Sequence, residues 1–187
     1  MSLEVIIGPM FAGKSSAILQ RVKREQCIGT KTLIVTSCLD TRYTTNVNLV
    51  KTHDSQVVEA IALTALDNIL ELKEFNEASL IVIEEAQFFI GLYTIVKDMV
   101  EVYKKHVIVV GLDGDSERKP FGEILQLIPL CDTVTKLKAL CKRCAPLKRD
   151  ALFTACIVKK GKEEQICVGG NETYEAVCRE HYIMNMS

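Results

Sequence analysis

The sequence predicts an α/β domain built on a mostly parallel sheet, with a small zinc-binding lobe appended to it. Three observations lead there. Short apolar runs alternate with helical stretches through the first three quarters of the chain. A phosphate-loop motif, "GPMFAGKS" at 8–15, falls directly between the first apolar run and the first helical stretch. Five of the eight cysteines crowd into the last quarter, where the texture turns charged and turn-rich. The division is placed at residue 140: an ATP-binding α/β domain over 1–140, then a cysteine-rich lobe over 141–187.

The elements follow in order. "LEVIIG" (3–8) is a short apolar run bounded by Gly and Pro, and reads as a buried strand. A helix with a basic outer face is predicted over 16–27, then a strand over 31–37. Apolar residues at Leu66, Ile69, Leu70 and Leu72 predict an amphipathic helix over 64–75. "SLIVI" (79–83) is a strand, 92–105 a helix, and 106–112 a strand that His106 opens in a structural role. His53 lies in a polar loop.

The totals exclude several classes. A chain of 187 residues with 48% hydrophobic content fits one full domain, or one domain plus a small appendage. A formal net charge of −1 provides no basic field, so no nucleic-acid partner is expected. The N-terminus lacks a secretory pattern, and no apolar run approaches the roughly 20 residues of a membrane span. A cytoplasmic protein without a membrane partner is expected, with cysteines as thiols or metal ligands rather than disulfides. Cys27, Cys38 and Cys131 are scattered and read as buried thiols.

The chemistry concentrates in four places. In the phosphate loop, Gly8, Pro9, Met10, Phe11, Ala12 and Gly13 form the turn whose N–H groups face a phosphate. Lys14 adds a point charge, Ser15 can hold Mg²⁺, and the helix behind presents its positive end. The implied ligand is ATP or another nucleoside triphosphate. At the end of the 79–83 strand stand two neighbouring acids, Glu84 and Glu85. One can help hold Mg²⁺ and the other can accept a substrate proton; two solvated carboxylates are the competing reading. "LDTRY" (39–43) and "GLDGDSERKPFG" (111–122) follow other strand ends, the rim where such sheets bind ligands. Arg42 suits a phosphate clamp or an ordinary pair with Asp40, and 111–122 suits a ligand loop or a surface loop. Finally, Cys141-x-x-Cys144 and Cys178-x-x-His181 are two half-sites for one tetrahedral Zn²⁺. The interval between them is longer than in common zinc patterns, which leaves reduced thiols, or Cys156 or Cys167 as a ligand, as rivals. With no open coordination position, such a zinc would be structural.

Together these segments resemble the cytosolic thymidine kinase family of animals, bacteria and large DNA viruses. The resemblance runs from "IIGPMFAGKSS" through "DTRY", "THD", "EEAQFF", "LDGDSERKPFGEIL" and "CKRC" to "VGGNETYEAVCREH". It implies transfer of the ATP γ-phosphate to the 5′-hydroxyl of thymidine, with deoxyuridine a further acceptor. It places Asp40, Arg42 and Gln87 with the nucleotide-binding set, Glu84 at the Mg²⁺ shell and Glu85 as the catalytic acid–base group. It makes Gly169 to Tyr174 part of a lasso loop closing over the nucleoside. Main-chain groups of Cys167, Val168 and Gly169 would read the thymine edge, and Met10, Phe88, Leu112, Phe121, Thr154 and Tyr174 would line the pocket. The zinc ligands become Cys141, Cys144, Cys178 and His181. The family's members are often homotetramers, with thymidine triphosphate as a feedback inhibitor.

Three positions depart from the family pattern. Glu84 stands for Asp, Ser116 for a Phe that stacks near the substrate in cellular members, and His181 for the fourth Cys. The competing functions are a broader deoxynucleoside kinase and an ATP-dependent zinc module binding nucleic acid. The balanced charge argues against the second.

Overall fold

A computed structural model describes residues 1–39, 49–51, 57–158 and 169–186. Strand β1 (Ser2–Ile7) leads through the phosphate loop into helix α1 (Lys14–Gln26), and β2 (Thr32–Ser37) follows. Next come β3 (Leu49–Lys51), β4 (Val57–Glu59) and β5 (Ile61–Leu63), with β3 and β4 forming an antiparallel pair. A 3₁₀ segment (Leu66–Glu71), α2 (Lys73–Glu77), β6 (Leu80–Ile83), a 3₁₀ turn (Ala86–Phe88) and α3 (Leu92–Glu101) lead to β7 (His106–Gly111). A further 3₁₀ turn (Ile124–Leu127) precedes β8 (Thr133–Lys136). Beyond it come β9 (Ala139–Leu140), β10 (Asp150–Ala151), β11 (Phe153–Cys156), β12 (Tyr174–Val177) and α4 (Arg179–Met186). The central sheet has six parallel strands in the order β5-β2-β6-β7-β1-β8.

Alternation builds the two cores. Along each strand, successive side chains point to opposite faces. Val5, Val35, Ile81, Ile83, Val107 and Val109 therefore pack with Phe75, Val96 and Met99 on one face. Ile6, Ile34, Leu80, Val82, Ile108 and Val110 pack with Ile18 and Val22 of α1 on the other. Both faces are covered, which is why these strands read as continuous apolar runs. An ion pair ties α1 to the sheet: Arg21 Nε donates to Glu4 at 2.8 Å. Glu123 caps α3 from outside, accepting from the N–H groups of Gly91 and Tyr93, each at 3.0 Å.

The expected helix over 64–75 is instead a 3₁₀ segment and a short α-helix, separated by an extended Leu72 at φ −73°, ψ 132°. The apolar positions explain the difference. Leu66, Ile69, Leu72 and Phe75 recur every third residue, which matches the period of a 3₁₀ turn rather than 3.6. Leu70, counted in the apolar face, is exposed. Helix α3 stops at Glu101, short of the expected Lys105. Lys104 adopts a left-handed φ of 56°, and Lys105 N–H bonds back to Met99 O at 2.9 Å, returning the chain directly into β7. Cys27 and Cys38 are exposed rather than buried, because each sits just past the end of its element, and Cys131 is half-buried.

A third, smaller core lies beyond β8. It consists largely of small residues: Ala139, Ala151, Ala155, Ala176, Cys141, Cys144 and Cys178, with Val177 and Tyr182. Phe11 and Ala12 of the phosphate loop pack against it. Among the described residues, no helix is long and apolar enough to cross a membrane.

Ile81 is fully buried on β6, near the middle of the sheet. Ile81→Ala should therefore destabilise the fold by about 2–5 kcal/mol. Chemical denaturation should show a lower midpoint with an unchanged slope.

Candidate active site

The site forms along the carboxyl edge of the sheet. Strand β1 ends at Ile7 and α1 begins at Lys14, so the intervening loop faces that edge. Lys14 Nζ donates to the carbonyls of Gly8 at 3.2 Å and Pro9 at 2.9 Å, folding the ammonium over its own loop. Phe11 is held at a left-handed φ of 63°. The N–H of Met10 donates to Thr154 Oγ1 at 3.0 Å, a buried bond between the phosphate loop and β11.

The paired acids do not continue β6, which ends at Ile83. Glu84 N–H still donates to Val35 O at 2.8 Å, and its carboxylate, 3% exposed, accepts from Ser15 Oγ at 2.7 Å. Glu85 turns away at φ 51°, ψ 40°. A non-glycine residue in this region costs about 1–3 kcal/mol and persists only where its surroundings enforce it. Strand alternation leads one to expect the two carboxylates on opposite sides. They do take separate partners, but a left-handed turn separates them.

Gln87 enforces that turn. Its side chain is 3% exposed, and Nε2 donates to Glu85 Oε2 at 2.6 Å. Its Oε1 accepts from Leu112 N–H at 3.0 Å. Because a backbone N–H can only donate, the amide orientation follows: oxygen toward Leu112, nitrogen toward Glu85. Two glycines make room. A Cβ on Gly111 would lie 2.4 Å from Gln87 Oε1, and one on Gly122, at φ 61°, would lie 2.2 Å from Gln87 O. Phe88 and Phe121 meet edge to face beside this bracket, with ring centroids 5.5 Å apart.

A cavity of about 230 Å³ opens beside the loop, lined by Pro9, Asp113, Lys136, Phe153 and Thr154 among others. Lys136 Nζ lies 2.6 Å from Asp113 Oδ2. Lys136 was not singled out from sequence, because β8 lacks the apolar run that marks the other central strands. Of the other expected pocket residues, Met10 and Tyr174 are buried and Leu112 is half-buried. Tyr174 opens β12, which pairs with β11 through Cys156↔Tyr174 and closes the base of the Gly169–Tyr174 segment. Asp40, Arg42, Cys167 and Val168 lie outside the described residues, as does His53.

The cysteine half-sites converge. One atom from each of Cys141, Cys144, Cys178 and His181 lies within 4.8 Å of the others. His181 Nδ1 is 3.5, 3.3 and 3.4 Å from the sulfurs of Cys141, Cys144 and Cys178, and the Cys144 and Cys178 sulfurs are 3.7 Å apart. A tetrahedron with ordinary Zn–S and Zn–N bonds has edges of about 3.8 Å between sulfurs and about 3.5 Å between sulfur and nitrogen. The donor set and its spacing therefore fit Zn²⁺, whereas a disulfide needs sulfurs about 2 Å apart. Burial, with the neighbouring Cys141 and Cys178 sulfurs, pushes the Cys144 thiol up to about 11. A cation would reverse that cost by stabilising the thiolate. Cys156 is not part of the cluster; its sulfur lies 3.3 Å from Val158 O.

A phosphate loop, an acid bonded to its serine, and a second acid turned away from it and bonded to Gln87 make up the arrangement expected of a P-loop phosphotransferase. The sequence profile of one family, "Thymidine kinase", matches residues 1–182. The chain is 40% identical to a rice thymidine kinase over 185 residues, covering 97% of this chain and 66% of that protein. It is equally 40% identical to the thymidine kinases of Myxoma virus (strain Uriarra) over 181 residues, 96% of this chain and 95% of the relative. For Vaccinia virus (strain Western Reserve) the identity is 40% over 182 residues, 97% of this chain and 96% of the relative. The chain belongs to the thymidine kinase family.

The Gln87 bracket yields a stability test. Gln87→Leu leaves the Leu112 N–H without its acceptor and should cost about 1–3 kcal/mol in chemical denaturation. Unchanged stability would refute the bracket.

Proposed function

We propose that the chain transfers the γ-phosphoryl group of ATP to the 5′-hydroxyl of thymidine, with deoxyuridine as a second acceptor. The observation that carries this is the separation of the two acids, Glu84 on Ser15 and Glu85 on Gln87, at the mouth of a phosphate loop. The family membership supplies the substrate class.

The chemistry follows from these positions. The backbone N–H groups of 8–15 and the Lys14 ammonium hold the phosphates. Lys14 gives up its contacts with the Gly8 and Pro9 carbonyls to do so. Ser15 and Glu84 offer hard oxygen ligands that would hold Mg²⁺, which when bound neutralises developing phosphate charge. Glu85 accepts the proton of the 5′-hydroxyl as that oxygen bonds to the γ-phosphorus and the bond to the ADP oxygen breaks. Gln87, which the resemblance puts with the nucleotide-binding set, also aims Glu85 through its amide. Asp40 and Arg42 are assigned to the nucleotide by family resemblance alone.

On the nucleoside side, Met10, Phe88, Leu112, Phe121, Thr154 and Tyr174 line the pocket, and main-chain groups of 167–169 read the base. A wrong base edge would leave buried amides unpaired, which is a strong basis for discrimination. Cys141, Cys144, Cys178 and His181 would hold a structural Zn²⁺ that staples a lobe whose own core is mostly alanine and cysteine. The functional division falls near residue 140, between β8 and the zinc lobe. The working protein is a cytoplasmic homotetramer, subject to feedback by thymidine triphosphate.

Glu85→Gln should lower kcat about 10²- to 10⁴-fold while ATP binding persists. Full activity in that variant would remove Glu85 from the mechanism. A panel of nucleosides with ATP separates a thymidine-selective enzyme from a broader deoxynucleoside kinase. Metal analysis should find one zinc per chain. Its removal by a chelator should unfold the lobe and expose thiols to a thiol reagent, while a zinc-free preparation with unreactive thiols would contradict the four-ligand site.

A further inference from the structure

We propose that Tyr182 is a positioning residue for the nucleoside pocket, acting through the loop at 113–120; the inference rests on the nucleoside kinase reading. That loop follows β7 and is flanked by Leu112 and Phe121, two of the pocket residues assigned above. It is braced internally. Asp115 is buried, and its Oδ1 accepts from the N–H groups of Glu117 at 2.8 Å and Lys119 at 2.9 Å. Asp115 N–H in turn donates to Lys119 O at 3.0 Å, and Gly114 forms a bridge with Pro120. A loop stitched this way moves as one body: Lys136 on Asp113 and Gln87 on Leu112 hold its start, and an outside anchor at its tip sets how it sits between the two pocket walls.

Tyr182 is that anchor. It sits on α4, one residue past His181, and is only 2% exposed. Its hydroxyl donates to Ser116 O at 2.7 Å, reaching from the cysteine lobe to the loop tip. Its ring carries the Arg118 guanidinium at 4.4 Å, and the same guanidinium lies 5.6 Å from the Phe153 ring. Phe153 packs against Tyr182 with centroids 5.2 Å apart. Arg118 reaches this place from a left-handed backbone at φ 65°. One side chain of the lobe thus grips the loop at two successive points, by a hydrogen bond to its main chain and by the face of its ring. The grip uses the carbonyl of residue 116, so the Ser at that position does not weaken it.

Two variants test this as zinc-loaded full-length protein. Tyr182→Phe removes the hydroxyl and keeps the ring; Arg118→Gln removes the cation and keeps the hydrogen bond. Each should raise the KM for thymidine about three- to tenfold, the loss of one net hydrogen bond or cation–π contact. The KM for ATP and the zinc content should stay at wild-type values. Amide hydrogen exchange across 113–120 should quicken in both variants. Unchanged thymidine KM and unchanged loop exchange would overturn the proposal. So would loss of zinc, or a parallel rise in both KM values, because Tyr182 would then be a general support of the lobe. If the wild-type protein fails to phosphorylate thymidine, the kinase reading falls, and the exchange measurement still decides whether Tyr182 holds the loop.

Discussion

In-register parallel pairing of three central strands is the constraint from which the site follows. Ile7 of β1 lies opposite Gly111 of β7, and Val109 of β7 lies opposite Ile83 of β6. Three segments therefore leave the sheet along one edge: the phosphate loop, the loop at 112–122, and the acid pair. A one-residue slip in any strand would turn its buried set to the wrong face. The register is held because both faces are packed, and every residue of β6 is buried. Site geometry is thus fixed first by core packing and only then by polar contacts.

Polar contacts refine what packing sets. Glu85 occupies a backbone region that few side chains adopt, and Gln87 holds it there while closing a hydrogen bond to the neighbouring strand end. The cost of the turn is offset by a satisfied buried network and by two glycines that admit it. Glu84, where the family pattern has Asp, accepts from the Ser15 hydroxyl. The two acids differ in environment as much as in position: one is buried against the phosphate loop, the other half-buried and braced by an amide.

Much of this was legible in the residues. Strands with both faces covered leave long apolar runs, and the phosphate loop has a spacing that only its mechanism requires, so β1, β2, β6, β7 and Gly8–Ser15 could be read directly. The cysteine half-sites pointed to four residues that the fold does bring together despite their long interval, because each pair is a local turn. Other features left weaker traces. Strand β8 is short, mostly exposed and polar, so Lys136 had no visible context. The Leu66–Phe75 stretch has a three-residue period that mimics an amphipathic α-helix over so few turns. The tasks of Gln87 and Tyr182 depend on partners 25 and 66 residues away, and no local pattern encodes such contacts.

The bond from Met10 N–H to Thr154 has a thermodynamic meaning beyond geometry. It joins the phosphate loop to the β11–β12 strand pair, and Phe11 and Ala12 extend the contact into the lobe's core. Under the proposed function, a ligand that tightened one side by way of this seam would favour the conformation the other ligand needs. Linkage then makes the effect reciprocal: whatever factor one substrate adds to the affinity of the second, the second returns to the first. The small lobe would in that sense act as a coupling element, its alanine-rich core packed directly against the phosphate loop.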